Sequence, residues 1–433
     1  MEVYLKCIDC GKEYELNVLY RCAKCNGLLD VIPDIESLRE IISKRLFDSR
    51  ICSREYPYSS GVWRFRELIH PIIKKDDIIS RPEGNTNIYR HKKLIDFTGL
   101  GNIVLKHEGE NPTGSFKDRG ISPGISEAKR LGMNVVACAS TGNTSASLAS
   151  YASLAGMKSI VFVPQGKIAS GKLSQALAYG ANVLQIRGNF DDAMSLVQKS
   201  AKEIGMYLLN SVNPWRIEGQ KSIIFELIQQ LNWNAPDWIV VPAGNLGNTS
   251  AFGKALKELY ELELIEKIPR IASIQASKSD PFYRTWMDGL DYLRVVENPE
   301  TIATAIKIGN PVSWKKALRA IKFSDGVVEE VSDQEIMDAK AIVDSSGIGC
   351  EPASAASVAG AKKLMDTGVI EKNENVVCII TGNILKDPEA TVKYHFEKLK
   401  NMDIYPRFPN KPVVIDPDID AVRELIDEKL NDN

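Results

Sequence analysis

Short apolar runs rich in β-branched residues alternate with helical segments along most of this chain. From residue 103 onward, runs of this kind predict strands at NIVLK, NVVACAS, SIVFVP, NVLQIRG, DWIVVPA and NVVCIIT. Strands that alternate with helices form parallel sheets whose faces are covered by those helices. The alternation therefore predicts an α/β protein built from open, mostly parallel sheets. Ligands of such sheets bind at the carboxyl ends of the strands, so we expect the chemistry in the strand-to-helix turns.

The length and charge of the chain limit its class. At 433 residues, the chain is expected to contain more than one hydrophobic core. The net charge of −2 gives no electrostatic reason to expect nucleic acid or an anionic membrane as a partner. No apolar run approaches the roughly 20 residues of a membrane-spanning helix, and the start, MEVYLKCIDCGKEY, lacks the apolar core of a signal peptide. We therefore expect a cytoplasmic protein whose cysteines are reduced.

Four of the eight cysteines form two Cys-x2-Cys pairs near the N-terminus. Cys7, Cys10, Cys22 and Cys25 suit tetrahedral thiolate coordination of Zn²⁺ in a closed, structural site. The alternative is a small hairpin that carries four reduced thiols and no metal. Residues 1–32 are accordingly predicted to form a zinc ribbon.

A single lysine stands inside the turn-forming sequence NPTGSFKDRG, residues 111–120. Gly114 favours a turn, and Ser115 can cap a helix that begins at Phe116, so Lys117 is expected in the first helical turn. The helix dipole disfavours a cation at that end. Either Lys117 is a solvated surface lysine, or the dipole and partial burial lower its pKa and make its amine a nucleophile.

Three predicted strands end in a turn that contains a Gly-Asn pair. The turns are STGNTSAS at 140–147, AGNLGNTS at 243–250 and TGNILKD at 381–387. Glycine lets a ligand approach the backbone closely, and the exposed N–H groups of a helix start attract anions. Tight turns between helices and strands would explain one such pair. Three pairs together with Lys117 favour a cofactor that carries a phosphate group, with the turn at 243–250 as its cradle.

Other common sites lack the residues that they require. The segment GKIASGKLS, residues 166–174, has Leu173 where a nucleotide-binding P-loop has the Ser or Thr that binds magnesium. No G-x-G-x-x-G follows a predicted strand, and no G-x-S-x-G is present. The four histidines form no cluster in the sequence. A lysine nucleophile beside a phosphate cradle describes a site for pyridoxal 5′-phosphate (PLP).

Six segments resemble those of the threonine synthase family, which shares the fold of the tryptophan synthase β-subunit. They occur in the family's order: NPTGSFKDRG, ACASTGNTSAS, LNSVNPWRIEGQK, VPAGNLGN, CEPASAAS and TGNILKDP. The SFKDRG motif alone is found in several related lyases, and its combination with NSVNPWR and EGQK is more specific. Asn87 departs from the family, which usually has proline there, in a loop away from the six segments.

The resemblance implies the arrangement called fold type II among PLP enzymes. Two open, mostly parallel-sheet α/β domains would enclose PLP in the cleft between them, with the small zinc ribbon at the N-terminus. The ribbon would span 1–32, and the larger, PLP-binding domain would combine 33–109 with 211–410. The smaller inserted domain would span 110–210, and 411–433 would form a C-terminal extension.

The resemblance also implies roles for individual residues. Lys117 would form the Schiff base with PLP and shuttle protons, Asn143 would bond to the phenolic oxygen of the ring, and the hydroxyl of Thr381 would meet the pyridine nitrogen. The cofactor phosphate would bind main-chain amides of Gly244, Asn245, Leu246, Gly247 and Asn248. The substrate implied is O-phospho-L-homoserine, which reacts with water to give L-threonine and phosphate. Its phosphate would bind Thr144, Asn210, Ser211 and Arg216.

The sequence allows two interpretations each for Arg216 and Glu351. Arg216 follows an N-cap and a proline, Asn213-Pro214, so it lies at a helix start where its guanidinium suits a phosphate dianion. The alternative is a surface arginine that pairs with Glu218 or Asp237. Glu351, in CEPASAAS, either lies near the cofactor ring, as the resemblance implies, or caps the helix that follows.

Other functions stay open beside the leading one. A threonine or serine dehydratase, or a phosphoserine-using cysteate synthase, would share the fold and the lysine, but a plain dehydratase would not need a site for substrate phosphate. A zinc-ribbon protein that binds nucleic acid is disfavoured because the chain is slightly acidic and has no basic stripe. A homodimer is what the resemblance implies.

Overall fold

The structure, a computed structural model, describes residues 2–166, 170–188 and 190–431. Part of the segment GKIASGKLS, including Lys167, lies outside the described residues, and so does the side chain of Lys172. Thirteen strands occur in the described part of the chain. They are β1 (Val3–Cys7), β2 (Glu13–Tyr14), β3 (Leu29–Pro33), β4 (Ile88–Tyr89), β5 (Asn102–His107), β6 (Val135–Ala139), β7 (Lys158–Pro164), β8 (Asn182–Ile186), β9 (Tyr207–Leu208), β10 (Trp238–Pro242), β11 (Arg270–Ala276), β12 (Val327–Val331) and β13 (Asn375–Ile380).

Helices connect most of these strands. In the described ranges they are α1 (Ile35–Ile41), α2 (Lys44–Asp48), α3 (Arg66–Ile69), α4 (Lys92–Thr98), α5 (Lys117–Arg130), α6 (Asn143–Leu154), α7 (Ser170–Ala178), α8 (Phe190–Ile204), α9 (Pro214–Gln230), α10 (Gly247–Glu261), α11 (Pro281–Met287), α12 (Trp314–Phe323), α13 (Asp333–Ser345), α14 (Pro352–Asp366), α15 (Pro388–His395) and α16 (Ile419–Asn431). Within the residues that the structure describes, none of these helices has both the length and the hydrophobicity that a membrane span requires.

The strands form three sheets. The N-terminal sheet is antiparallel, in the order β2-β1-β3. The largest sheet has the order β12-β11-β10-β13-β5-β4, and all its neighbouring strands are parallel except β4 and β5. The third sheet is parallel, in the order β8-β7-β6-β9. The α/β class predicted from the alternation is therefore confirmed.

The central strand of the six-stranded sheet is buried on both faces, as is typical of parallel sheets. Ile239 and Val241 of β10 pack with α9, α10 and α12 on one face, whereas Trp238 and Val240 pack with α13 and α14 on the other. This arrangement follows from the period of two in a strand, which sends successive side chains to opposite faces. It explains why DWIVVPA reads as a continuous apolar run.

The four-stranded sheet is covered in the same way. Val136 and Cys138 of β6 pack with α5, α6 and α7, and Ala137 and Ala139 pack with α8. The strands of this sheet come from 135–208, inside the predicted smaller domain, and the six-stranded sheet is built from chain on either side of it. The domain boundaries themselves stay a prediction.

The start of α5 differs by one residue from the prediction. The helix begins at Lys117, and Phe116 rather than Ser115 occupies the N-cap position. The reason is tertiary, because Ser115 forms an isolated antiparallel bridge with Gly382 and the N–H of Phe116 donates to the carbonyl of Thr381 at 3.0 Å. The helix start at NPWR follows the prediction, since Asn213 is the N-cap and Pro214 the first residue of α9.

Candidate active site

The loop that carries Lys117 is held against the carboxyl end of β13. Besides the bridge between Ser115 and Gly382, the N–H of Asn383 donates to the carbonyl of Gly114 at 2.9 Å. A second set of bonds fixes the start of α5, where the carboxylate of Asp118 accepts from Thr113, through N–H and Oγ1, and from Ser147. The lysine is therefore placed where two of the three Gly-Asn turns meet.

The amine of Lys117 is desolvated. Burial, and after it the nearby charge of Arg216, lower its pKa to about 7, although the charge of Glu351 acts in the opposite direction. Its Nζ lies 3.6 Å from the centroid of the Phe116 ring. A solvated surface lysine, the alternative left by the sequence, does not describe this environment. An amine with this pKa is neutral in a substantial fraction of molecules at pH 7 and can act as a nucleophile or base.

Asn143 and Glu351 connect the two parallel sheets across the site. Asn143 is the first residue of α6, and its Nδ2 donates to both carboxylate oxygens of Glu351, at 3.1 and 3.2 Å. Glu351 occupies the N-cap position of α14, but its side chain makes no capping bond. The carboxyl group thus faces Asn143, and burial raises its pKa. Of the two alternatives for Glu351, the structure favours a place in the site over helix capping.

The turn GNLGN brings the backbone close to other elements. A side chain on Gly244 would lie 3.1 Å from Cα of Ile306, and one on Gly247 would lie 3.2 Å from Oε1 of Gln220. Leu246 has φ of 64°, a left-handed backbone conformation that residues other than glycine rarely adopt. Residues held in such conformations are concentrated at ligand sites. A connection between β10 and α10 does not by itself require these features, so the turn has the character of a ligand site.

Several buried polar atoms around this turn have no partner in the described part of the chain. They are Oδ1 of Asn248, Oε1 of Gln220, Oγ of Ser313 and Nε of Arg216. Leaving such atoms unpaired costs about 1–3 kcal/mol each, and native proteins contain few of them. The unpaired atoms indicate a polar ligand, the main-chain N–H groups of the glycine-lined turn suit a phosphate, and the desolvated amine suits an aldehyde carbon. The residues present therefore fit PLP.

Arg216 is buried without a carboxylate partner among the described residues. Its side chain is 3% exposed, and Nη1 donates to the carbonyl of Leu209 at 3.2 Å. Burial lowers its pKa to about 10. The alternative from the sequence is wrong, because Glu218 pairs with Lys221 and Lys254 instead, and Asp237 pairs with Lys267. A buried, unpaired guanidinium is costly unless an anion binds to it.

The other predicted substrate residues lie at the start of α6 and in the segment that leads into α9. Asn210 uses both ends of its amide on the backbone of Ala139, with Oδ1 accepting at 3.0 Å and Nδ2 donating at 3.0 Å. It therefore joins the end of β6 to the segment that leads into α9. Thr144, in the first turn of α6, and Ser211 are both half-buried. Asn210 thus holds the backbone in place, and the role of Thr144 and Ser211 in binding substrate stays a prediction.

Thr381 has a neutral partner that the sequence reasoning missed. Its Oγ1 lies 2.9 Å from Oγ of Ser354, and Ser354 also accepts the N–H of Gly382 at 2.9 Å. Ser354 follows Glu351 in CEPASAAS, so the signal was a hydroxyl in a segment already singled out.

Lys386 is a second residue that the sequence reasoning missed. It belongs to TGNILKD, and its amine donates to the side chain of Gln175 in α7. Burial lowers its pKa, with opposing effects from the charges of Glu351 and Asp118. The contact therefore joins the turn after β13 to a helix that covers the other parallel sheet.

The four N-terminal cysteines form a separate cluster. Their sulfur atoms all lie within 4.8 Å of one another, with 3.4 Å between Cys7 and Cys25 and 3.5 Å between Cys10 and Cys22. Four thiolates at 2.3 Å from a tetrahedral zinc ion would be about 3.8 Å apart. The donor set and its spacing therefore fit a structural zinc ion.

Comparisons with known proteins identify relatives over the whole chain. The family described as pyridoxal-phosphate dependent enzyme matches residues 79–382. A threonine synthase from Methanosarcina acetivorans is 47% identical over 425 residues, 98% of each chain. Threonine synthase 2, chloroplastic, from Arabidopsis thaliana is 39% identical and covers 98% of this chain and 83% of its own.

Solved structures of related fold are more distant in sequence. Threonine synthase from Escherichia coli superposes with a TM-score of 0.65 at 16% identity, and covers 98% of this chain and 100% of its own. Maize serine racemase superposes with a TM-score of 0.63 at 20% identity, and covers 79% and 98%. At these identities the likeness shows the fold.

Proposed function

This chain belongs to the pyridoxal-phosphate dependent enzymes and, among them, to the threonine synthase family, and we propose that it converts O-phospho-L-homoserine and water into L-threonine and phosphate. The observation that carries the proposal is a pair of cations in the first turns of α5 and α9, the half-buried Lys117 and the buried Arg216. Lys117 has a pKa of about 7, and Arg216 has no carboxylate partner among the described residues. The first suits covalent and proton-transfer chemistry, and the second suits a phosphate ester.

Different residues would bind the different chemical groups of PLP. Lys117 would hold its aldehyde carbon, Asn143 its phenolic oxygen and Thr381 its pyridine nitrogen. Main-chain amides would hold its phosphate, from Gly244, Asn245, Leu246, Gly247 and Asn248. When bound, PLP supplies an electron sink for carbanions next to the substrate amino group. Thr381, which shares a bond with Ser354, is a neutral partner and does not impose a positive charge on the ring nitrogen.

Lys117 also accounts for the proton transfers. Because its pKa is lowered to about 7, the amine can take a proton from Cα of the substrate and return one later at the same pH. A proton then leaves Cβ as phosphate leaves Cγ, Cγ takes up a proton, and water adds at Cβ to complete the conversion. The negative charge of Glu351 opposes the drop in the pKa of Lys117, so the three groups set the basicity of the amine together.

The substrate phosphate binds at the start of α9. Arg216 supplies a fixed, planar set of donors for the dianion, and the hydroxyls of Thr144 and Ser211 supply neutral ones. Asn210 keeps the segment in register through its two bonds to Ala139. A plain dehydratase, whose substrate has no phosphate, would leave Arg216 buried and uncompensated.

The remaining assignments follow from the cysteine cluster, the charge and the family. Cys7, Cys10, Cys22 and Cys25 bind a structural zinc ion. The enzyme works in the cytoplasm as a homodimer, without a nucleic-acid partner.

The test is to purify the chain, record its visible spectrum and follow phosphate release and threonine formation from O-phosphohomoserine, with O-phosphoserine alongside. We expect a coloured protein that forms threonine, and a colourless Lys117→Ala variant. A colourless wild type would contradict PLP binding, and activity on O-phosphoserine alone would identify a cysteate synthase-like enzyme. Salt-sensitive retention on nucleic acid would support the ribbon protein instead.

A further inference from the structure

The ribbon formed by residues 2–33 is packed onto the body of the enzyme through a buried ion pair. Asp30 in β3 is 6% exposed, and its carboxylate pairs with Lys316 at 2.8 Å and with Arg319 at 2.5 Å, both from α12. Lys316 also donates to the carbonyl of Leu29 at 2.7 Å. Against the effect of burial, the charges of Lys316, Lys254 and Arg319 hold the pKa of Asp30 well below its usual range. The ribbon is therefore an integral part of the enzyme surface and not a tethered module.

The core of the ribbon contains one residue of the substrate-phosphate segment. Trp215, which precedes Arg216 in NPWR, is 2% exposed and belongs to the apolar cluster of the ribbon. The other members are Leu5, Cys7, Cys22, Leu29 and Val31. Two of these are predicted zinc ligands, so the indole packs in the cluster that a zinc ion would hold together.

Trp215 also contacts the body of the enzyme. The ring of His70 stacks on it, with 3.8 Å between centroids and 13° between planes. His70 is itself fixed by Glu127 in α5, the helix that begins at Lys117. Trp215, the second residue of α9, thus contacts both the ribbon and His70, and through His70 it is linked to α5.

The ribbon makes a second contact at the N-terminal end of the substrate-phosphate segment. The phenol oxygen of Tyr20, in the loop between the two cysteine pairs, accepts the N–H of Leu208 at 2.7 Å. The ring of Tyr20 also lies edge-on to Tyr207, with 5.8 Å between centroids. Leu208 ends β9, two residues before Asn210. The ribbon therefore holds the segment 208–216 at both of its ends.

From this geometry we infer that the ribbon positions the substrate-phosphate segment, so that the integrity of its metal site controls the affinity for the phosphate ester and not the binding of PLP. Tyr20 and Trp215 are positioning residues in this scheme, because neither is among the residues assigned to cofactor or substrate. The inference rests on the proposed function for the identity of the ester. The contacts of Tyr20 and Trp215 do not involve the cofactor turn at 244–248, so the two phosphate sites should respond differently when these contacts are weakened.

The first experiment uses Tyr20→Phe in the holoenzyme, with Tyr394→Phe as the matched control. Tyr20→Phe removes the acceptor for the N–H of Leu208 and keeps the ring. We expect the KM for O-phosphohomoserine and the Kd for inorganic phosphate, measured by calorimetry, to rise about three- to tenfold, with kcat and the visible spectrum unchanged. Tyr394→Phe removes a buried bond of 2.6 Å to Asp338, far from the ribbon, and should change neither constant.

The second experiment removes zinc from the wild-type holoenzyme with a chelator and follows zinc content, the visible spectrum and the Kd for inorganic phosphate. We expect phosphate affinity to fall by at least as much as in Tyr20→Phe, to return when zinc is added, and the spectrum to persist. Unchanged phosphate affinity after zinc loss, or equal effects of Tyr20→Phe and Tyr394→Phe, would overturn the inference. The phosphate titration needs no turnover, so it stands apart from a failure to form threonine.

Discussion

Two groups of cations in the interior of this protein differ in whether carboxylates pair with them. One is the pair formed by Lys117 and Arg216 at the strand ends. The other surrounds Glu226 in α9, whose carboxylate pairs with Lys106 at 2.6 Å, Arg119 at 2.8 Å and Arg64 at 2.9 Å. We call these the Lys117 site and the Glu226 cluster. Both are withdrawn from water, yet in the Glu226 cluster every cation has an anionic partner.

The difference separates structural from functional burial. The carboxylate of Glu226 joins α9 to α5, to β5 and to the loop at Asn85 and Thr86. It pairs with the cations and also accepts the backbone N–H groups of both loop residues. Glu108 supplies a second carboxylate to Arg119. At the Lys117 site the carboxyl group that acts on the lysine, Glu351, has a raised pKa, and no carboxylate pairs with Arg216 among the described residues. Charge left unbalanced in the free protein indicates that a ligand balances it.

The largest effect is expected from Lys117→Ala, which removes the amine that the Lys117 site is built around. Turnover should fall at least about 1,000-fold, and the visible absorbance of the cofactor should be lost. Stability should change little, because no carboxylate loses its partner. The assay measures turnover, the visible spectrum and the urea midpoint of the same preparation. A variant that keeps its colour and turnover would place the nucleophile elsewhere.

The next effect comes from Glu226→Gln, which keeps the shape of the side chain and removes the charge that three cations share. Leaving buried charges without a partner costs about 3–5 kcal/mol, so we expect the free energy of unfolding to fall by that amount in urea titrations. The matched control is Glu351→Gln at the Lys117 site. Its effect on stability should be small, because burial already raises the pKa of Glu351. Equal losses in the two variants would remove the distinction between the regions.

Part of this arrangement can be predicted from the sequence, because the patterns that indicate it lie within a few consecutive residues. The Gly-Asn turns directly follow apolar runs, and the N-cap and proline ahead of Arg216 lie within three residues of it, so the strand ends and the start of α9 were predicted correctly. The α/β class followed from the same periodicity. The four cysteines are likewise recognisable from their spacing alone.

The rest depends on contacts between distant parts of the chain. Asn143 and Glu351, 208 residues apart, meet only when the two sheets face each other. The burial of Arg216 and the use of Asn210 to hold Ala139 are set by how α9 and the end of β6 are packed. Ser115 lies one residue before the N-cap for the same reason, since its partner Gly382 lies at another strand end, although its Oγ still accepts the N–H of Lys117 at 3.4 Å. No local pattern contains such information.

A smaller effect is expected from Arg216→Ala, paired with Arg64→Ala from the Glu226 cluster. Loss of a charged donor to the substrate phosphate should raise the KM for O-phosphohomoserine about 10- to 100-fold, with the visible spectrum and the unfolding free energy nearly unchanged. Arg64→Ala should instead lower stability and leave KM near the wild-type value, because its partner is Glu226. Steady-state kinetics and urea titrations of both variants test this. Loss of visible absorbance in Arg216→Ala would contradict its assignment to the substrate.

The smallest expected effect concerns the pH dependence of the Lys117 amine in cofactor-free protein. A pKa lowered to about 7 means that the neutral, reactive form grows as pH rises, from about 10% at pH 6 to about 90% at pH 8. Acylation of Lys117, followed by peptide mapping, should therefore rise about tenfold over that range and then level off. Lys106 should stay unmodified throughout, because it is buried against Glu226.

The sign of the shift can be tested with the two charged neighbours of Lys117. The charge of Arg216 lowers the pKa of the amine, so Arg216→Ala should move the midpoint of acylation to higher pH. Glu351 acts in the opposite direction, so Glu351→Gln should move the midpoint to lower pH. Burial, the largest cause, is common to both variants and cancels in the comparison. Shifts of the same sign would mean that the two charges do not act on Lys117 directly, and that its basicity is set by burial alone.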